Sequence, residues 1–163
     1  MLKLLFISAV ALLAKADQKD FPEMDAKHPH CQIQVDYPSR TCDWEYNRFE
    51  MMIKNFGGED PGHGKYDVKE KGTNYIWTVR TSADGKQVHD VIYYFDQQSN
   101  TCKVTSKSRQ RDEAALDKNA SYCSAWYVLK YSDSFEAPNV SNCIIVPAFP
   151  DTDCVKYVNG FLS

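Results

Sequence analysis

The chain has 163 residues, of which 43% are hydrophobic and 13% aromatic, enough apolar side chain to build a core, which excludes wholesale disorder. Its formal charge is −3, from 19 basic and 22 acidic residues, and this balance argues against a nucleic-acid binder. Beyond one apolar run near the start, no stretch is long enough to span a bilayer, which excludes a membrane-embedded protein.

In chain order, residues 1–16 read as a secretory signal peptide. Lys3, the apolar run 4–13 and the end Ala14-Lys15-Ala16 supply its charge, its length and its small-x-small cleavage site. Residues 17–163 are then expected to form a single exported domain, with a net charge that falls further once Lys3 and Lys15 are gone. Residues 17–30 are polar and carry Pro22 and Pro29, which predicts a loosely ordered arm or one short helix. Residues 31–37 alternate Ile33 and Val35 with polar neighbours, a strand pattern that Pro38 breaks. Residues 44–56 allow two readings: Trp44, Tyr46 and Arg48 alternate, whereas Phe49, Met52, Ile53 and Phe56 have helical spacing. A strand is preferred because strands follow. Gly57, Gly58, Pro61, Gly62 and Gly64 make the next stretch a loop.

The best local signal is a hairpin. Residues 74–82 and 86–95 are rich in aromatic and β-branched side chains, and Asp84-Gly85 lies between them. Asp-Gly predicts a two-residue type I′ turn, which needs positive φ at both positions. That turn fixes the register. Trp77 faces Ile92, Tyr75 faces Tyr94, Val79 faces Asp90 and Thr81 faces Val88, all on one side of the pleat. The result is an aromatic face holding one carboxylate, while Ile76 with Tyr93, Thr78 with Val91 and Arg80 with His89 make a more mixed surface opposite.

Residues 96–100 supply a second turn and 101–108 a further strand, so the middle of the chain reads as an antiparallel meander. Residues 109–118 read as a charged, solvated connection, and 122–131 as another aromatic strand carrying Cys123, Trp126, Tyr127, Val128 and Leu129. After Pro138 and Cys143 comes the apolar Ile144-Ile145-Val146, then a tail where Asp151 can cap a helix containing Cys154, Val155, Tyr157 and Val158. Successive strands without alternating helices predict an all-β sandwich or an up-and-down barrel.

Six cysteines, Cys31, Cys42, Cys102, Cys123, Cys143 and Cys154, predict three disulfides, with a connectivity that spacing alone does not choose. No C-x-x-C occurs, and His28 and His30 beside Cys31 form the only cluster of metal-ligating types, so no metal and no cofactor is expected. Asn119-Ala-Ser121 and Asn139-Val-Ser141 are glycosylation sequons, expected on the surface. Without a nucleophile elbow, a zinc-protease motif, a P-loop or a dinucleotide fingerprint, no enzyme activity is expected. The informative residue is Asp90. Its plain reading is a carboxylate near a sheet end or paired with a buried Arg or Lys. Its sharper reading is a ligand carboxylate in a cavity walled by Trp77, Tyr75 and Tyr94, suited to an organic cation or amine.

Asp90-Val91-Ile92-Tyr93-Tyr94, then Asn100-Thr101-Cys102-Lys103-Val104, with Tyr122-Cys123-Ser124-Ala125-Trp126 and Val140-Ser141-Asn142-Cys143 further on, resemble the tick salivary lipocalins, the group that includes the histamine-binding proteins. The resemblance implies an all-β fold, a lipocalin-like eight-stranded antiparallel barrel with a short C-terminal helix. It also implies the pairs Cys102 with Cys143, Cys42 with Cys154 and Cys31 with Cys123. In that family Asp90 would be the pocket acid, with Asp36 a second; on the hairpin register Tyr75, Trp77, Ile92 and Tyr94 would then line the ligand site, together with Trp126. Ser124 stands where histamine binders carry a pocket glutamate. The implied function is a secreted, monomeric protein that sequesters a small amphipathic host mediator, a biogenic amine or a lipid, without membrane insertion. The alternative is an immune-evasion factor that binds a host protein, such as a complement inhibitor.

Overall fold

The computed structural model describes residues 21–113 and 117–156. The predicted signal peptide, Tyr157 and Val158 lie outside the described residues. The elements run β1 (His30–Pro38), α1 (Cys42–Phe56), β2 (Lys65–Lys71), β3 (Tyr75–Thr81), β4 (Val88–Gln98), β5 (Thr101–Gln110), α2 (Ala120–Ser132), β6 (Glu136–Ser141) and α3 (Pro150–Lys156). The strands form one six-stranded antiparallel sheet in the order β2-β3-β4-β5-β1-β6. Its outer strands do not pair with each other. The mostly-β, antiparallel part of the expectation holds, but the sheet has six strands and stays open where an eight-stranded barrel was expected.

Two segments read as strands are helices. α1 is capped by Thr41, whose hydroxyl accepts the Trp44 N–H at 3.3 Å, and Asp43 favours its first turn electrostatically. Phe49, Ile53 and Phe56, spaced by four and three, form its buried stripe. Of the alternating Trp44, Tyr46 and Arg48, Trp44 lies exposed and carries the guanidinium of Arg40 4.4 Å from its ring centre, whereas Tyr46 packs beside the stripe on Phe95, ring centres 5.2 Å apart. In α2 every residue except Lys130 and Tyr131 is buried. A helix enclosed on nearly all sides has no polar face to mark a 3.6-residue period, so it reads like a buried strand.

The predicted hairpin register is found: Tyr75 opposes Tyr94, Trp77 opposes Ile92, Val79 opposes Asp90 and Thr81 opposes Val88. The turn differs. Of its residues only Gly85 has positive φ, at 71°, and the Gly85 N–H donates to Ser82 O at 2.9 Å, so a four-residue loop built on an ordinary turn replaces the two-residue one. Ser82 N–H donating to Gln87 O keeps the same pairs in step.

The faces are exchanged. α1 and α2 pack on the side carrying Ile76, Val91, Tyr93 and Phe95, joined by Ile33, Val35 and Tyr37 of β1 and Val104 of β5. Thr78, Arg80 and His89 are buried there as well. The aromatic side is the far face of the sheet, where Tyr75, Trp77 and Ile92 make a smaller cluster with Phe21 and Tyr94.

The disulfides are Cys31–Cys143, Cys42–Cys102 and Cys123–Cys154, which replaces all three implied pairs. The sheet order explains the change. β6 lies beside β1 with Ser141 opposite Gln32, which brings Cys143 to Cys31. Tyr37 opposes Cys102, and the chain turns from there directly into α1, whose first residue is Cys42. α3 folds back onto α2, bringing Cys154 to Cys123. A C-terminal helix is present, with Asp151 inside its first turn.

Candidate functional site

The expected ligand residues are divided between the two sides of the sheet. Asp90, on the far face, is almost fully buried. It accepts the Trp77 indole N–H at 2.9 Å and both Arg111 Nε–H and Nη2–H, at 2.8 and 3.0 Å. Lys69 adds an ammonium 3.7 Å from Oδ1, which also lies 3.6 Å from the centre of the Trp77 ring. Lys69 reaches this place because β2 bulges between Val68 and Glu70, and a bulge re-aims the extra residue. Burial alone would raise the Asp90 carboxyl, but the hydrogen bonds and charge of Arg111, the Trp77 N–H and the charge of Lys69 outweigh it and hold the group below the ordinary carboxylate range. The cations that meet this carboxylate come from the chain itself, as in the plain reading of Asp90 as a paired acid. Arg111 comes from the stretch read as a solvated connection.

Phe21 leans edge-on against Trp77 with ring centres 5.4 Å apart, and Tyr75 and Tyr94 pair at 6.4 Å. Nearby, Asp25 accepts from Arg109 at 3.0 Å and bonds His28, anchoring the arm across this face. Asp36 is not brought to Asp90. Along β5, Asp36 opposes Lys103 whereas Asp90 opposes Arg109, a separation of roughly 20 Å along the strand.

Trp126 lies on the opposite side of the sheet, in α2. Its ring stacks on Tyr122 at 5.7 Å and meets Phe135 edge-on at 5.3 Å. It forms one wall of an open cleft of about 790 Å³ between the end of α2, the segment after it and the start of α3. Tyr131, Phe135, Phe149 and Pro150 supply further apolar wall, and Arg48, Lys130, Ser132, Asp133 and Asp151 the polar rim. Lys130 pairs with Asp151 at 3.0 Å, Arg48 Nε–H donates to Ser132 O at 2.9 Å, and Arg40 Nε–H donates to the Asp133 carboxylate at 2.9 Å. With its aromatic walls and charged groups of both signs, the cleft can hold an apolar body and orient a polar end. Sequence reasoning singled out Trp126 alone, because the cleft exists only once α1 and α2 are helices. The helical spacing of Phe49, Ile53 and Phe56 signalled α1, which brings only Arg48 to the cleft.

Both sequon asparagines are clear of the core: Asn139 is exposed on β6, and Asn119 is half-buried at the start of α2. Among the described residues, no three His, Cys, Asp or Glu side chains gather to hold a metal ion, and no helix is long and apolar enough to cross a membrane. No protein-family model, curated protein or solved structure matches the chain.

Proposed function

We propose that this chain is an exported, non-catalytic binding protein that sequesters a small amphipathic molecule, an amine or a lipid, in the cleft beside Trp126. The observation that carries this reading is the cleft itself. Its volume lies within the range of small-molecule sites, roughly 300–1,000 Å³, and Phe149 and Phe135, backed by the largely buried Trp126, offer apolar area beside charged groups. The motif likeness to tick salivary lipocalins supports the same class of ligand, and it would then describe an opened sheet that binds outside its strands. In this reading Asp90 has a narrower part: with Arg111 and Lys69 on it, it ties β2, β3 and β4 to the segment after β5.

Titration calorimetry with histamine, serotonin, decyltrimethylammonium and decanoate tests it. Phe149 is 71% exposed, so Phe149→Ala leaves the fold intact and is expected to weaken a cleft ligand by about tenfold, the cost of losing roughly half of a buried aromatic contact. If no probe binds, or if Phe149→Ala changes nothing, the cleft is not the site. A protein-directed inhibitor is the second reading, favoured by the exposed run Ile144, Ile145 and Val146 that continues toward Phe149. It predicts that Ile144→Ser with Val146→Ser abolishes capture of a host serum protein and leaves small-probe binding unchanged.

A further inference from the structure

Glu45, in the first turn of α1, is fully buried, and neither of its carboxyl oxygens has a hydrogen-bond partner among the described residues. The groups that face it are Arg40 from the turn between β1 and α1, Arg48 from α1 itself, Asp133 just past α2 and Tyr37 of β1. Arg48 is committed to the Ser132 carbonyl, and the Tyr37 hydroxyl donates to Leu129 O at 2.9 Å. Arg40 alone is within reach, its Nε 3.9 Å from Glu45 Oε1, yet its hydrogen bond goes to Asp133. Its guanidinium is partly exposed and rests on the Trp44 ring, so it can slide by an ångström without disturbing the core. Asp133 lines the cleft.

We infer that Glu45 and Asp133 compete for Arg40, so that ionisation of Glu45 draws the guanidinium inward and frees Asp133 to receive the ammonium group of a ligand in the cleft. This rests on the cleft being the ligand site. A buried carboxylate with no donor is costly, so Glu45 holds its proton. Burial first, and then the charge of Asp133, push it up to about 7. Below that pH Arg40 belongs wholly to Asp133, whose charge is cancelled. Above it Asp133 loses that hydrogen bond and keeps only the nearby charge of Arg48, itself held on the Ser132 carbonyl, so the cleft gains negative charge. Affinity for a fixed-charge ammonium therefore rises through neutrality, and affinity for a carboxylate-ended ligand falls.

Two measurements test this. The first needs no ligand: nitrogen-15 NMR of the Arg40 Nε–H and carbon-13 NMR of the Glu45 carboxyl, from pH 5.5 to 8.5. Both signals should move with one midpoint, and Glu45→Gln should hold Arg40 in its low-pH position. An Arg40 signal that stays still, or that moves equally in Glu45→Gln, overturns the inference. The second is calorimetry with decyltrimethylammonium and decanoate at pH 6 and pH 8. The ammonium probe should tighten about fivefold, the scale of one partly exposed ion pair, decanoate should weaken, and both should be flat in Glu45→Gln. A flat ammonium affinity beside a moving Arg40 overturns the release of Asp133. Failure of both probes to bind at all overturns the cleft reading, and with it the ligand half of this inference, whatever Arg40 does.

Discussion

His89 lies on the inner face of β4, fully buried, with neither ring nitrogen hydrogen-bonded among the described residues. Burial, reinforced by the positive charge of Arg80, keeps it neutral down to about 3. The unfolded chain protonates the same ring near 6.5, so the folded state loses stability as the pH falls from 6.5 toward 3. Glu45 acts in the opposite sense. Its folded value is raised from 4.5 to about 7, so the native protein keeps a proton that the unfolded chain gives up, and stability is lost as the pH rises through that window. Stability should therefore peak in mildly acidic solution. Urea unfolding checks both residues. Glu45→Gln should match wild type at pH 4 and exceed it by about 2–3 kcal/mol at pH 8. His89→Leu should gain on wild type as the pH drops, by about 2 kcal/mol at pH 5. Differences that do not change with pH would mean that neither group titrates as its surroundings imply.

The loop between α1 and β2 is held by Asp60. This buried carboxylate accepts Arg80 Nε–H at 2.6 Å and Nη2–H at 3.1 Å, together with the backbone N–H groups of Gly62 at 2.7 Å and Gly64 at 3.0 Å. Gly62 has no room for a side chain, since a Cβ there would lie 2.0 Å from the Tyr127 hydroxyl. Asp60→Ala strands the Arg80 charge in the core, and the expected loss is about 3–5 kcal/mol, to be read from the urea midpoint. A loss below 1 kcal/mol would show that water reaches Arg80. This loop also explains why the two faces of the hairpin were exchanged in the sequence reading. Arg80 and His89 look like surface residues until a carboxylate twenty positions earlier arrives to neutralise the arginine. Where information was local, the sequence was legible: Asp84-Gly85 placed the hairpin and its register, and the alternation of Ile33 and Val35 placed β1. α1 was half legible, through Phe49, Ile53 and Phe56. α2, the cleft and the partner of Asp90 depend on contacts between segments far apart in the chain, which no local period records.

Across the whole molecule, the disulfides interleave. Cys31–Cys143 joins β1 to the residues after β6, and Cys123–Cys154 crosses that closure to hold α3 against α2. α3 packs only on α2 among the larger contacts it makes, so this bond keeps Phe149 and Pro150 in the cleft wall. Replacing Cys123 and Cys154 together by Ala should cost about 2–4 kcal/mol, preserve the sheet signal in circular dichroism and abolish binding in the cleft. Retained binding would mean that α3 holds its place without the bond. The open sheet has one more consequence. A closed barrel has no margins, whereas this sheet has two, and an unpaired strand margin invites the strand of another molecule. β2 answers with the charged, mostly exposed sequence Lys-Tyr-Asp-Val-Lys-Glu-Lys and a bulge at Lys69. β6 is short and carries Pro138, which has no N–H to offer. Both borders thus carry features that disfavour recruitment into a longer ribbon.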